Sequence, residues 1–362
     1  MASNEFVTEW LRQLAVGNSL LPADWQTLQA LELQDSSRAI AFGLTADTVD
    51  VSLRKRSRLL QTLYPTIEPF CQRHFNGTDR ALETLWFLWL PLALWLAQRR
   101  QHHDRPWVQG ILGGQGTGKT TLGKILTLVL QELGYKTLSL SLDDLYKTYV
   151  DRLALRTQDP RLIWRGPPGT HDVALGIQTL NALKQPAIGK AIAIPRFDKS
   201  LHNGVGDRVA PELVADIDIV LFEGWFVGVR PVDPTLFDTP IAPILTEADR
   251  AFARDMNAQL SAYLPLWERL NSLIVLHPID YRLSQQWRKQ AEQQLRASGK
   301  PGMSDAEIEK FVEYFWKALH PELMIDPLVI TPGKADLVID IQADHSVCAV
   351  YRGGDRPLPA ND

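Results

Sequence analysis

The sequence predicts an α/β fold, a mostly parallel sheet flanked by helices on both faces, preceded by an all-helical N-terminal region. Three observations predict it. Residues 1–104 carry apolar positions three and four apart, as in VTEWLRQLA and DRALETLWFLWL, with no strand-like alternation. From Trp107 onward, short apolar runs occur at 108–113, 136–142, 191–195, 217–222, 272–276 and 336–341. Helical patterns, notably DVALGIQTLNALK and YRLSQQWRKQAEQQLR, alternate with these runs, as βαβ units require.

The polar stretch QRRQHHDRP (98–106) ends in Pro106 and reads as a linker. The expected organisation is therefore a helical region, 1–104, packing on a core domain, 105–362. The run at 85–97 is apolar but contains Pro91 and falls short of the roughly 20 residues a bilayer span needs, so it reads as a buried helix. The first ten residues lack the basic-then-apolar pattern of a signal peptide.

Composition narrows the classes of partner. The chain has 362 residues, 45% of them apolar, and a net charge of −4, so the global basic field that draws proteins to nucleic acid or anionic membrane is absent. The two cysteines, Cys71 and Cys348, form no CxxC or Cys/His cluster. That argues against a disulfide framework or a structural zinc site and suits a reducing cytoplasm.

The sharpest motif follows the first apolar run. Gly113, Gly114, Gln115, Gly116, Thr117, Gly118, Lys119 and Thr120 fit G-x-x-x-x-G-K-[ST] between a predicted strand and a predicted helix, with Thr121 next. Backbone N–H groups of such a P-loop cradle phosphates at a helix N-terminus. Lys119 can reach the β- and γ-phosphates of ATP, and the Thr120 hydroxyl can ligate Mg²⁺. The motif makes this a P-loop NTPase fold; alone it implies nucleotide binding and no more.

Carboxylates at strand ends add chemistry. The second run ends in Asp143-Asp144-Leu145-Tyr146, and ligands of a parallel sheet sit at the carboxyl ends of its strands. Asp143 there can take the proton of an attacking hydroxyl. Aspartates also cap helices, and that role fits Asp144 better than Asp143. The run at 217–222 is followed by Glu223 at the Walker-B position, where a carboxylate holds Mg²⁺ directly or through water.

A local reversal of charge suggests the acceptor. Residues 161–208 contain seven Lys/Arg against three Asp/Glu, in a chain that is acidic overall. They include Arg165-Gly166-Pro167-Pro168-Gly169-Thr170-His171-Asp172 and Pro195-Arg196-Phe197-Asp198-Lys199-Ser200, followed by Arg208. Arg165, Thr170, His171, Arg196, Asp198, Lys199 and Arg208 are the candidate contacts to an anionic substrate, since arginine clamps a carboxylate with two parallel hydrogen bonds. A solvated basic surface is the alternative, and it fits Lys184 and Lys190. His171 suits a base, a substrate contact or a helix cap. Further on, Trp287-Arg288-Lys289 and Arg296 run into SGKPGMSDAE, where Gly299 and Gly302 are hinge-compatible and Ser304 with Glu307 forms a capping box. A cationic lid around 286–304 would exclude water, with Arg288 stabilising charge on the transferring phosphoryl group.

Taken together, GGQGTGKTT, SLDDLY, RGPPGTHD, PRFDKSLHNGVGDR, VLFEGWFVG and WRKQAE…GKPGMSD resemble the plant-type D-glycerate 3-kinases, relatives of phosphoribulokinase, uridine kinase and pantothenate kinase. The resemblance covers about residues 85–345. It implies that ATP and D-glycerate react to give 3-phosphoglycerate, a photorespiratory step in photosynthetic organisms, with Asp143 as base and Glu223 near Mg²⁺. Two departures stand out: Pro167-Pro168 replace the frequent Asn-Ala, and Phe197 replaces the common Tyr. The choice of the 3-hydroxyl comes only from the resemblance. Other classes the residues allow are another small-metabolite kinase of this kind, a P-loop ATPase switch, and a helical interaction protein acting through 1–104.

Overall fold

The computed structural model describes residues 5–74, 78–185, 189–297, 299 and 302–357. Among these described residues there are eight strands: β1 Trp107–Gly113, β2 Thr137–Ser141, β3 Ile192–Asp198, β4 Asp207–Val214, β5 Ile219–Gly224, β6 Ser272–Pro278, β7 Leu337–Ile341 and β8 Val347–Tyr351. Six of them form the main sheet in the order β2-β5-β1-β6-β7-β8. Every neighbouring pair in it is parallel except β7–β8. The expected mostly parallel sheet is borne out.

Three strands depart from the sequence reading. The run at 191–195 is not part of the parallel sheet; it begins β3, which pairs antiparallel with β4 in a separate hairpin. Neither β4 nor the edge strand β8 was foreseen. In β4, charged residues and Pro211 sit among exposed positions, which erases the alternation that marks a half-buried strand.

Alternation within the strands builds two cores. In β5, Ile219 and Leu221 join the core on one face of the sheet, while Val220 and Phe222 join the core on the other. Strands buried on both faces read as continuous apolar runs, which is why this one was legible.

The first of these cores is continuous with the helical N-terminal segment. Helices Glu5–Ala15, Val49–His74 and Leu90–Gln101 contribute Leu11, Leu60 and Leu96 to it, together with Ile125 and Leu126 of helix Lys119–Glu132. The helical stretch 79–101 is long and apolar enough to cross a membrane by length and composition, but its most apolar window is 72% buried inside the protein. A π-helical turn, Leu85–Trp89, precedes Pro91, and the Leu90 N–H bonds back to the Leu85 carbonyl. Pro91 has no N–H to return to the Phe87 carbonyl, so the ladder is already irregular there.

Register then fixes the site. Glu223 of β5 lies beside Ile111 of β1 and Ser141 of β2. The loops that leave these three strands therefore emerge at one edge of the sheet, each within a residue or two of its neighbour.

Candidate active site

β1 delivers Gly113 into the P-loop, and helix Lys119–Glu132 begins immediately after Gly118. Gly116 has a positive φ of 78°, and a Cβ there would press on Trp287. The Lys119 ammonium donates to the Gly113 carbonyl at 2.6 Å and the Gly114 carbonyl at 2.8 Å, leaving its third N–H for a phosphate. Burial lowers its pKa against the opposing pull of Glu223 and Asp143. Lys119, Glu223 and Asp143 thus share one electrostatic environment.

A short 3₁₀ turn, Leu142–Leu145, follows β2. Its two aspartates divide the work. Asp144 closes a capping box, accepting the Ser141 N–H at 3.0 Å, while Ser141 accepts the Asp143 N–H. Asp143 is thereby left facing the site, where Lys199 Nζ lies 2.6 Å from its Oδ2. Burial alone would raise the Asp143 pKa, but the charge and hydrogen bond of Lys199, with a hydrogen bond from Tyr146, hold it below the ordinary carboxylate value.

His171 stacks on Tyr146 with ring centroids 4.7 Å apart, and its Nδ1 lies 2.8 Å from the Tyr263 hydroxyl. That hydroxyl oxygen also accepts the Gly169 N–H, which ties the RGPPGT loop to the same tyrosine. The other ring nitrogen, Nε2, is buried and has no partner among the described residues. Burial pushes the His171 pKa down to about 3 although Asp143 pulls it up. The residue is therefore neutral rather than a cation.

Arg165 leaves the RGPPGT loop to donate to the Gly204 and Val205 carbonyls at 2.7 and 2.9 Å, with its guanidinium over the rings of Tyr146 and Phe197. The loop can run close beneath because Gly166, with φ 130°, has no side chain to meet the Phe315 ring. Trp225 donates its indole N–H to the Gly166 carbonyl, fixing the loop next to the end of β5.

Four residues expected to contact substrate are instead consumed in building these loops. Arg196 donates to Asp144, Glu212 and the Ser139 carbonyl, which pins the β3–β4 hairpin against β2. Arg208 donates to the Tyr146 carbonyl and to Asp172, the N-cap of helix Val173–Leu183. The Thr170 hydroxyl lies buried inside its own turn, donating to the Pro167 carbonyl and accepting the Gly166 N–H. Asp198 accepts the N–H and hydroxyl of Ser200 at the surface.

The cations of the expected lid are likewise engaged within the protein. Helix Leu283–Ala297 lies on the P-loop through Trp287, whose indole donates to the Ala343 carbonyl and stacks on His345. Arg288, however, is tied to Glu292 one turn along, at 2.5 Å, with its guanidinium over Phe311. Lys289 pairs with Glu309 and Arg296 with Asp305, both on the next helix, Asp305–Ala318. Ser298, Lys300 and Pro301 of the expected hinge lie outside the described residues. A cavity of about 320 Å³ opens beside Gly114 and Gln115, under Trp225 and Phe315, and reaches His277.

The Thr120 hydroxyl and Glu223 carboxylate make no hydrogen bond or ion pair among the described residues, and both lie at the phosphate end of the loop. One hydroxyl and one carboxylate form the sparse, hard-oxygen donor set of a cation that keeps its waters and phosphate ligands, as Mg²⁺ does.

No family model matches the chain. Comparison with individual proteins is more informative. The chloroplastic D-glycerate 3-kinase of Arabidopsis thaliana is 31% identical over 284 residues, which is 72% of this chain and 60% of that protein. An uncharacterized kinase of Schizosaccharomyces pombe is 31% identical over 231 residues, 61% of this chain and 82% of that one. The solved D-glycerate 3-kinase of Cryptococcus neoformans aligns with a TM-score of 0.63 and 27% identity, covering 72% of this chain and 96% of that structure. The chain belongs to the P-loop kinase family that includes the D-glycerate 3-kinases. It spans less than two thirds of the Arabidopsis relative's length.

Membership makes sense of the shared environment of Lys119, Asp143 and Glu223, the equipment of a phosphotransferase. It does not by itself place each side chain. Tyr146 and Tyr263, which orient Asp143 and His171, were missed. Tyr146 was within reach of the sequence, three residues past Asp143; Tyr263 comes from a 3₁₀ segment 92 positions beyond His171 and left no local signal.

Proposed function

We propose that this protein transfers the γ-phosphate of ATP to the 3-hydroxyl of D-glycerate, giving 3-phosphoglycerate and ADP. One observation carries the reading. A carboxylate fit to take a hydroxyl proton, Asp143, and a cation fit to hold a substrate carboxylate, Lys199, meet 2.6 Å apart in the electrostatic reach of the P-loop lysine. D-glycerate offers a carboxylate at C1 and a hydroxyl at C3, both within one small molecule. The names of the Arabidopsis and Cryptococcus relatives point to the same acceptor.

In the reaction the acceptor hydroxyl gives its proton to Asp143 as its oxygen bonds to the γ-phosphorus, and the bond from that phosphorus to the ADP oxygen breaks. Lys119 holds the β- and γ-phosphates, and the unpartnered His171 Nε2 is left to hydrogen-bond the acceptor. Thr120 and Glu223 would hold Mg²⁺, which when bound neutralises charge on the phosphates. The cytoplasm is the compartment proposed, since Cys71 and Cys348 are both free. In a photosynthetic cell the product would return photorespiratory carbon.

A coupled ADP-release assay tests this, with D-glycerate, L-glycerate, uridine, pantothenate and ribulose 5-phosphate as acceptors. Turnover with D-glycerate alone is expected, and carbon NMR of the product separates 3- from 2-phosphoglycerate. Turnover with a different acceptor would leave the kinase and sink the substrate. ATP hydrolysis at the same rate without any acceptor would favour an ATPase switch.

A further inference from the structure

The pairing of Lys199 with Asp143 is at odds with the work asked of Asp143. A carboxylate with an ammonium 2.6 Å away has its charge largely neutralised, and it is a poor proton acceptor for as long as that ammonium stays. Tyr146 also donates to Asp143, so no other group among its hydrogen-bond partners offsets the loss.

The surroundings make Lys199 the movable member. Its side chain is 60% exposed, against 28% for Asp143, and Asp143 sits on a turn locked by the Ser141–Asp144 capping box. The backbone carrying Lys199 is in turn fixed. Asp198 holds Ser200 on one side, Arg165 grips the Gly204 and Val205 carbonyls on the other, and Arg196 anchors the base of the hairpin to Asp144 and Glu212. A long flexible stem on a rigid hairpin can swing its ammonium by several ångströms while its root stays in place.

We propose that Lys199 is a carboxylate-exchange residue: the acceptor's carboxylate takes Lys199 from Asp143, and Asp143 is thereby freed to take the acceptor's hydroxyl proton. The exchange trades one ion pair for another of the same kind, so it costs little when the incoming group is an anion. A neutral alcohol offers nothing in return and must react against a neutralised base. Selection for an acid therefore acts on turnover as well as on binding, and Lys199 is a specificity-determining residue. The inference rests on the glycerate-kinase reading for its acceptor.

The test compares D-glycerate with its methyl ester, which has the same hydroxyls and no charge, in the wild-type protein and in Lys199→Met and Lys199→Arg. In the wild type the ester should turn over far more slowly than the acid. In Lys199→Met, KM for D-glycerate should rise about tenfold or more, the amount associated with loss of one charge-assisted contact, and its kcat/KM should fall. The ester's kcat should increase above its wild-type value, because the base is no longer neutralised. KM for ATP should stay within about twofold, and Lys199→Arg should restore the preference for the acid. An acid-to-ester ratio unchanged in Lys199→Met overturns the exchange, as does a loss that falls on ATP, which would assign Lys199 to the γ-phosphate. A wild-type enzyme inert toward D-glycerate overturns the substrate reading itself; an active one with an unchanged ratio overturns only the exchange. The gain with the ester is the decisive reading, since a variant that merely misfolds loses activity toward both acceptors.

Discussion

Arg196 Nη1 donates to Asp144 Oδ2 at 2.8 Å, and the same oxygen accepts the Ser141 N–H that begins the turn bearing Asp143. The arginine therefore reaches the candidate base through a capping aspartate rather than by touching substrate. Arg196→Ala should cost about 1–2 kcal/mol of stability, since charge-assisted hydrogen bonds are lost from a partly exposed site. It should lower kcat several-fold while changing KM for ATP and for the acid to similar, small extents. A selective rise in KM for the acid, with stability intact, would return Arg196 to the substrate. Thermal melts and steady-state kinetics on the same preparation decide between them.

Asp143→Asn removes the base while keeping its shape and its hydrogen bond with Tyr146. Loss of a general base commonly lowers turnover by about 10²–10⁴-fold. The expected result is a kcat reduced within that range, with affinity for a non-hydrolysable ATP analogue unchanged. Near-normal turnover would mean that positioning on the γ-phosphate suffices without Asp143.

What the sequence made legible divides along physical lines. Lys119, Asp143 and Glu223 could be read because strand-loop-helix order alone places them: a strand end in a parallel sheet faces the ligand edge whatever the rest of the chain does. Asp144 was legible as a cap for the same local reason. Arg196, Arg208, Thr170 and Asp198 have the right chemistry for anion binding and were read that way. Their partners are Asp144 and Glu212, Asp172, a turn carbonyl and Ser200. A count of charges registers the donors but not which acceptors lie opposite them once the hairpin β3–β4 folds over β2. That hairpin was itself only half visible, because β4 is exposed and has no apolar rhythm. Arg288 is engaged for a different reason. Its i+4 neighbour Glu292 was in plain view, yet an exposed helical pair is usually weak, and only the burial of Glu292 makes this one hold.

His171 makes the protein sensitive to acid. Burial takes its pKa from the ordinary histidine value of about 6.5 down to about 3, so the unfolded chain binds a proton that the folded one refuses. The stabilisation is complete above about pH 6.5 and is lost as pH falls from there toward 3. His171→Phe keeps a ring on Tyr146 and cannot titrate. Its unfolding free energy should fall less steeply than that of the wild type over the interval from about pH 6.5 to 4.5, before carboxylates join in. Equal slopes would place the acid sensitivity elsewhere.

His277 works with the opposite sign. Burial would lower its pKa, but hydrogen bonds and charges from Asp326 and Asp340, at 3.3 and 2.8 Å, outweigh this and raise it. A raised histidine stabilises fully below its unfolded value and loses that contribution as pH climbs through its folded value. Tyr351 and Arg356 also contact Asp340, so the cation sits in a closed network at the ends of β6 and β7. His277→Gln should therefore be most destabilised relative to wild type at pH 6 and below, with the gap narrowing in alkali. Denaturant melts from pH 5.5 to 9 would show it; a gap independent of pH would mean that His277 is held neutral.

The P-loop carries a contact that its motif does not specify. Gly116 has a φ of 78°, and a Cβ there would meet Trp287 Cβ at 2.6 Å. Gly116→Ala thus faces two separate costs, a left-handed backbone worth about 1–2 kcal/mol for a residue with a side chain, and a clash with helix Leu283–Ala297. Trp287→Gly, which removes that Cβ as well as the indole, removes the second cost and leaves the first. Affinity for the ATP analogue should fall in Gly116→Ala and should be partly regained in the double variant, with a coupling of about 1 kcal/mol or more between the two positions. Strict additivity would mean that helix Leu283–Ala297 stands away from the loop in solution, and that the stack of Trp287 on His345 does not hold it there. The backbone cost predicts that recovery stays incomplete, because no change at Trp287 can relax a positive φ at position 116.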